Sequence, residues 1–216
     1  MKTYIKKFHN KHIYLQIYEG EISKLKPEDF NNISNKYNKP LQIGVESDNY
    51  KLISLLEKSG FVLKRKCYEI EASKDDLKNP IGGSWASLHE SHIGEKEYEI
   101  SCQMVYDYYW QTHYDINPLT ASFKDFMASL PKDGLYTKSG GEITACALIE
   151  DNEIAYLACN DKNLSREFLE SLLAYMFDRY EFIFFEADDT DPLASKLKEP
   201  FRIGDIATYD TYVKTS

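Results

Sequence analysis

Two sequence periods take turns along this chain, and their alternation is what most limits its fold. Runs that alternate apolar and polar residues make strands, and runs that repeat every three to four residues make helices. HIYLQIY at 12–18 has the first period. Residues 163–180 have the second: Phe168, Leu169, Leu172, Leu173, Met176 and Phe177 fall at i, i+1, i+4, i+5, i+8 and i+9, one broad apolar face. A chain that keeps switching between the two is an α/β protein.

In the first eighty residues the order reads β-β-α-β-α-β. Residues 3–8 and 12–18 form a hairpin across the turn-like His9-Asn10-Lys11. Pro27-Glu28-Asp29 opens a helix, since proline fits its first position and acids suit the positive end of its dipole. Pro40 precedes the short strand LQIGV at 41–45. Asp48-Asn49 cap a second helix carrying Leu52, Ile53, Leu55 and Leu56, and Gly60 closes it. A strand follows at 61–72. Lys74-Asp75-Asp76, Pro80 and Gly82-Gly83 then break the pattern. These breaks divide the chain into a unit at 1–74, a linker at 75–84 and a unit at 85–216. The second unit reads α-α-β-β-β-α-β-α-β, with helices at 97–111, 122–130 and 163–180 and a short one from Pro192. Its strands are at 135–137, 143–149, 154–159, 182–186 and 205–213. The last five elements of the two units match, so the expectation is a duplicated mixed twisted sheet with flanking helices. The first copy lacks its leading helices, and Ile43 and Phe184 lie on equivalent central strands.

Composition narrows the function classes. Residues 1–80 hold 15 Lys+Arg against 11 Asp+Glu, while the whole chain carries −9. The remaining residues therefore carry −13, which repels a phosphate backbone and disfavours nucleic acid while favouring cationic partners. No apolar run approaches the roughly 20 residues a bilayer needs, and the basic opening MKTYIKKFHN has no apolar signal core. Cys67, Cys102, Cys146 and Cys159 have no paired spacing and read as free thiols in a reducing, cytoplasmic setting. The five histidines show no metal-ligand spacing, so no metal is expected.

One segment carries a resemblance. Asn49, the apolar helix after it, and Glu57-Lys58-Ser59-Gly60-Phe61 leading into a strand resemble the closing motif of the GNAT (N-acetyltransferase) superfamily. Asp188-Asp189-Thr190-Asp191-Pro192-Leu193-Ala194, with Pro200-Phe201 further on, is a weaker second copy. The resemblance covers residues 12–72 and about 97–213. It implies an enzyme that moves an acetyl group from acetyl-CoA, held between two splayed strands, to a primary amine of a small molecule or peptide. The family's diphosphate sits on a glycine-rich turn at a helix start, where free N–H groups and the dipole attract anions.

The matching turn here runs from Asn160 to Leu169 and has Glu167 and Leu169 near the family's glycine positions. The resemblance assigns cofactor contacts to Leu157, Cys159, Lys162, Asn163, Ser165 and Arg166. An ordinary capped helix with flanking charges accounts for the last four equally. The family's Tyr acid is replaced by Leu56 in the first copy and by Lys196 or Leu197 in the second. Glu186 is the candidate general base, a carboxylate at a strand end facing the splay. Tyr109, Trp110, His113 and Tyr114 would wall an acceptor pocket and hold an ammonium by cation–π contact, or else pack as core. Because a fold does not settle an activity, the alternative is an inactive binding or regulatory module that has lost the phosphate turn.

Overall fold

The structure, a computed structural model, describes residues 1–82, 85–160 and 165–215. The chain divides into two compact units. One comprises Met1–Tyr68, Thr112–Ser122 and Ala207–Ser216, the other Glu69–Gln111 and Phe123–Ile206.

In the first unit β1 (Lys2–Lys6) and β2 (His9–Gln16) form a hairpin, turned at Lys7-Phe8 rather than at His9-Asn10-Lys11, which are the first residues of β2. A one-turn helix, α1 (Glu19–Ile22), and then α2 (Pro27–Tyr37) cross over to β3 (Leu41–Glu46), which runs parallel to β2. Asp29 accepts the Lys26 amide at 2.8 Å at the start of α2, and Asn38 ends it in the left-handed region at φ 48°. Asn49 Oδ1 accepts the Leu52 amide at 3.2 Å and caps α3 (Tyr50–Lys58). Gly60, at φ +84°, turns the chain into β4 (Val62–Ser73), in the left-handed conformation that favours glycine. Ile13, Leu15, Leu41, Ile43 and Val45 from the sheet bury against Phe30 of α2 and Leu52 and Leu56 of α3. Phe30 meets Phe61 edge-on at 5.3 Å.

The strand beyond β3 comes from far along the chain. β10 (Tyr209–Lys214) pairs antiparallel with β3 along its whole length, and its other edge pairs antiparallel with β4, from Tyr209↔Cys67 to Val213↔Val62. The first unit thus has the strand order β1-β2-β3-β10-β4.

The chain leaves the first unit within β4, between Tyr68 and Glu69. Short 3₁₀ turns follow at Lys74–Asp76 and Trp85–Ser87, and Leu77, 7% exposed, bridges to Phe201. The second unit continues with β5 (His89–His92), α4 (Lys96–His113), α5 (Phe123–Met127), β6 (Asp133–Ser139), β7 (Glu142–Glu150) and β8 (Glu153–Cys159). It is completed by α6 (Arg166–Arg179), β9 (Phe182–Asp188) and α7 (Pro192–Lys198). Its strand order is β4-β9-β8-β7-β6-β5, antiparallel from β8 to β5, with β8 and β9 parallel. Phe168, Leu172, Leu173, Met176 and Phe177 are the buried face of α6, the stripe read from the sequence. β5 carries HESH, whose polar residues give no strand signal; Ser91 is its buried residue.

The units do not follow chain order: residues 112–122 and 207–216 belong to the first, and residues 69–111 and 123–206 to the second.

Candidate active site

The site in the second unit begins where two parallel strands part. β8 and β9 are in register at Glu153↔Phe184, where the Phe184 amide donates to the Asn152 carbonyl at 2.9 Å. Both strands run on for several residues past that pair. Next to the parting, the β7–β8 ladder shifts register between Leu148↔Tyr156 and Ile149↔Ile154, leaving Ala155 as a bulge. A bulge adds twist and re-aims the side chains beside it. Here it sets Tyr156 against two helices. The Tyr156 ring lies 6.2 Å from Tyr109 of α4 and 6.1 Å from Phe126 of α5, and the Tyr109 and Phe126 rings are 5.1 Å apart. Tyr106 joins the group, 5.6 Å from both Phe123 and Phe126.

Polar chemistry sits beside this aromatic wall. Burial pushes the Tyr156 phenol above its ordinary pKa, and the negative charges of Glu186 and Glu153 push it further. Tyr156 on β8 and Glu186 on β9 therefore feel each other across the parting. Glu186 is exposed, on the opposite face of β9 from buried Ile183, Phe185 and Ala187. Tyr108 reaches from α4 to the start of α7, where its hydroxyl donates to Asp191 Oδ1 at 2.5 Å and accepts the Leu193 amide at 3.2 Å. Burial, then the Asp191 charge, raises the Tyr108 pKa, so the phenol keeps its proton far into the alkaline range. Cys159, half-buried at the end of β8, also acts on Tyr108. The carboxylate can accept a proton and the protonated Tyr156 phenol can donate a hydrogen bond, beside two strands that run on past their shared pair.

At the start of α6, Ser165 caps the helix by accepting the Phe168 amide at 3.1 Å. Arg166 bonds Glu170 at 2.6 Å with most of its side chain in solvent.

Solved structures with this architecture are consistent in kind. A GCN5-related N-acetyltransferase from Sphaerobacter thermophilus superposes with a TM-score of 0.58 at 10% identity, covering 94% of this chain and 72% of that one. One from Kribbella flavida gives 0.54 at 12% identity, covering 97% and 83%. A tandem GNAT protein from the clavulanic acid biosynthesis pathway gives 0.54 at 8% identity, covering 94% and 74%. This chain has the GNAT fold. No protein-family model and no curated protein matches the sequence, so the likeness lies in the path of the backbone.

In the second unit, the residues expected at the site are spread out. Glu186 and Tyr109 converge on Tyr156. Leu157 is buried, 9% exposed, and pairs with Ala147 in the ladder, while Cys159 lies near Tyr108. Ser165 and Arg166 are at the helix start; Lys162 and Asn163 lie outside the described residues. Trp110, in the same unit, is 45% exposed. His113 and Tyr114 belong to the first unit, where Tyr114 is 57% exposed and His113 is buried. Sequence reasoning passed over Tyr108, Tyr156 and Asp191 as site residues. Asp191-Pro192 is a visible cap, but nothing local signals that Tyr108 would reach it.

The first unit has its own parting strands. β2 and β3 are in register at Ile13↔Leu41 and Tyr14↔Gln42, and both continue beyond. Beside them lies a buried polar group. His9 Nδ1–H donates to the Asn117 carbonyl at 2.7 Å, and His12 Nδ1–H to Gln42 Oε1 at 2.8 Å. Arg65 Nη1 donates to His113 Nε2 at 3.0 Å, which fixes His113 as the tautomer with its proton on Nδ1. Lys6 Nζ lies 4.8 Å from the centre of the Tyr14 ring. The Asn117 side chain acts on the buried Tyr14 hydroxyl, though distance and angle fall outside hydrogen-bond geometry. Among the described residues no group of three or more His, Cys, Asp and Glu is placed to hold a metal ion. No helix among them is long and apolar enough to cross a membrane.

Proposed function

We propose that this chain is a GNAT-like N-acyltransferase that moves an acetyl group from acetyl-CoA to a primary amine of a small molecule or peptide. The observation that carries this reading is the β8/β9 parting, with the Glu186 charge acting on Tyr156 across it and Tyr108 held at the start of α7. Acetyl-CoA would supply the acyl group as a thioester. The residues present suit such a donor: β8 and β9 run on past Glu153↔Phe184, and the amide end of α6 lies beyond Cys159.

Each group has a part to play. Glu186, exposed to incoming amine, takes the proton that an ammonium must lose before its nitrogen can attack a carbonyl. The faces of Tyr109 and Tyr156 attract that ammonium before it is deprotonated. The Tyr108 hydroxyl gives its one proton to Asp191 and so braces the start of α7, while the second proton lost by the attacking nitrogen goes to the departing sulfur. The Ser165 end of α6 and the Arg166 guanidinium would attract the diphosphate, together with Lys162 and Asn163 just before them in sequence.

Three wider assignments belong to this reading. The shared order of hairpin, crossover helix, strand, helix and strand supports descent of both units from one duplicated element. The free cysteines, Cys67, Cys102 and Cys146 among them buried, support a reducing cytoplasmic setting. The acidic second stretch supports an amine acceptor over nucleic acid or a membrane surface.

A second reading rests on one feature. Glu167 stands in the first turn of α6 and Arg166 is bonded to Glu170, which suits a binding or regulatory module that takes no diphosphate. Calorimetry and thermal shift with acetyl-CoA and CoA separate the two readings. A ligand at a hundredfold excess over Kd adds about 2.7 kcal/mol to native stability, so the enzyme reading expects a clear rise in Tm. Thiol release with a panel of amines then reports transfer. No shift at millimolar CoA overturns the enzyme and leaves the module.

A further inference from the structure

We infer that the second unit has another ligand site, a cavity that takes an apolar, planar molecule carrying one acid group. The cavity measures about 600 Å³ and lies against the C-terminal half of α6, beside the 3₁₀ turns that follow β4. That volume is in the ordinary range for small-molecule pockets, roughly 300–1,000 Å³. From Arg166 at the α6 start to Phe177 in the cavity wall is about 16 Å along the helix axis at 1.5 Å per residue. It is therefore distinct from the proposed acyl site at the other end of α6.

Its walls come in two kinds. Leu77 and Phe177, 7% and 5% exposed, form an apolar base with the half-buried Ile81. Trp85, 39% exposed, supplies a broad aromatic surface and is held in place. Its ring packs edge-on against Tyr175 at 5.7 Å, and the Arg179 guanidinium carbon lies 5.0 Å from its centre. Such a fixed indole stacks on a flat apolar body with little loss of side-chain freedom.

The rim supplies charge. Arg202 donates to the carbonyls of Asp75 at 3.4 Å and Lys78 at 3.3 Å, and its amide donates to the Asp76 carbonyl at 2.7 Å. Lys78 Nζ donates to the Glu199 carbonyl at 2.7 Å. These bonds hold both cations at the rim through uncharged oxygens, which fix position without cancelling charge. Lys74 is a third cation there. The acids Asp75, Asp76 and Asp178 oppose them: the Asp76 carboxylate and the Arg202 charge act on each other, and Asp178 lies 3.8 Å from the Arg179 guanidinium. Lys74 and Lys78 over an apolar base, with Asp76 set against Arg202 and Asp178 against Arg179, leave the rim attractive to an anion.

The test uses 1-anilinonaphthalene-8-sulfonate and its uncharged relative N-phenyl-1-naphthylamine, which share a fused-ring body and differ in the sulfonate. Binding is followed by probe fluorescence on the full chain, with thermal unfolding of each variant as the check on folding. The sulfonate is expected to bind saturably at one site, at least tenfold tighter than the neutral probe. Lys74→Gln with Lys78→Gln should erase that tenfold preference and leave neutral-probe binding unchanged. Ala174→Trp, which fills the cavity from α6, should remove both. A folded parent without saturable binding, charge variants that keep the preference, or an Ala174→Trp protein that binds like the parent each overturn the inference. Displacement of the sulfonate by CoA also overturns it, because the probe would then sit in the acyl site. Failure of CoA to bind leaves this site standing, so it is tested apart from the proposed activity.

Discussion

Tyr108 and Asp191 share a 2.5 Å hydrogen bond that ties the middle of α4 to the first turn of α7. Asp191 Oδ1 also accepts the amides of Leu193 at 2.8 Å and Ala194 at 3.2 Å, so one oxygen organises a helix start and anchors a phenol. Tyr108→Phe removes the hydroxyl from a pair involving a charged group and should cost about 1.5–3 kcal/mol. Asp191→Ala loses the cap as well, about 1 kcal/mol more. Because both break the same bond, the double variant should fall short of the sum. Urea unfolding of the four proteins measures this coupling; strict additivity would show that the bond contributes nothing.

Glu186→Gln keeps the size of the side chain and removes its capacity to take a proton. If Glu186 is the base, turnover should fall by about a hundredfold or more while affinity for acetyl-CoA stays as in the parent. Tyr156→Phe should leave turnover nearer the parent's, since its raised pKa keeps that hydroxyl protonated and unsuited to accept a proton. Steady-state kinetics with calorimetry distinguishes the two; equal losses would remove Glu186 from its assigned part.

At the α6 start, Ser165→Ala deletes the Phe168 cap and should cost about 1 kcal/mol of stability. Replacing Lys162 and Arg166 together with Ala should weaken CoA binding by about tenfold or more through lost charge-assisted contacts, with folding little changed. Calorimetry on both proteins is the measurement, and parent-like CoA affinity in the double variant would move the cofactor site elsewhere.

Acid should loosen the first unit. Burial lowers the pKa of His9 and of His12 below the ordinary value near 6.5. As pH falls through that value the unfolded chain takes up protons that the native histidines refuse, so native stability declines. The decline should stop once the pH is below the native pKa values. Urea midpoints at pH 7.5 and 5.5 should therefore differ, and His9→Gln with His12→Gln should flatten the difference.

Much of the local structure was legible in the sequence because its determinants are local. Pro27, Asn49, Gly60 and Pro192 mark helix starts and a helix end at the places the structure uses. The α6 stripe announces its buried face. Strand partnership is another matter. Residues 205–213 read as a strand, realised as 209–214, yet nothing in YDTYVK specifies β3 and β4 as its neighbours. Pairing depends on edges that exist only after folding. The site was legible to the same degree. Glu186 and Tyr109 could be chosen by residue type and position. Tyr108 and Tyr156 depend on a bulge at Ala155 and a side-chain reach of 83 positions along the chain to Asp191, distances that periodicity does not encode.

The place of β10 sets a timetable for biosynthesis. The first unit needs residues that the ribosome makes about 140 positions after β4, about 7–28 s of translation at roughly 5–20 residues per second. Until then β3 has no partner on the edge that β10 will fill, and such an edge invites other strands. The usual sequence, in which the amino-terminal part folds first and waits, is closed to this protein. Its earliest-made sheet is among the last to be finished, and slowing translation should lengthen the interval in which a nascent chain is open to chaperones.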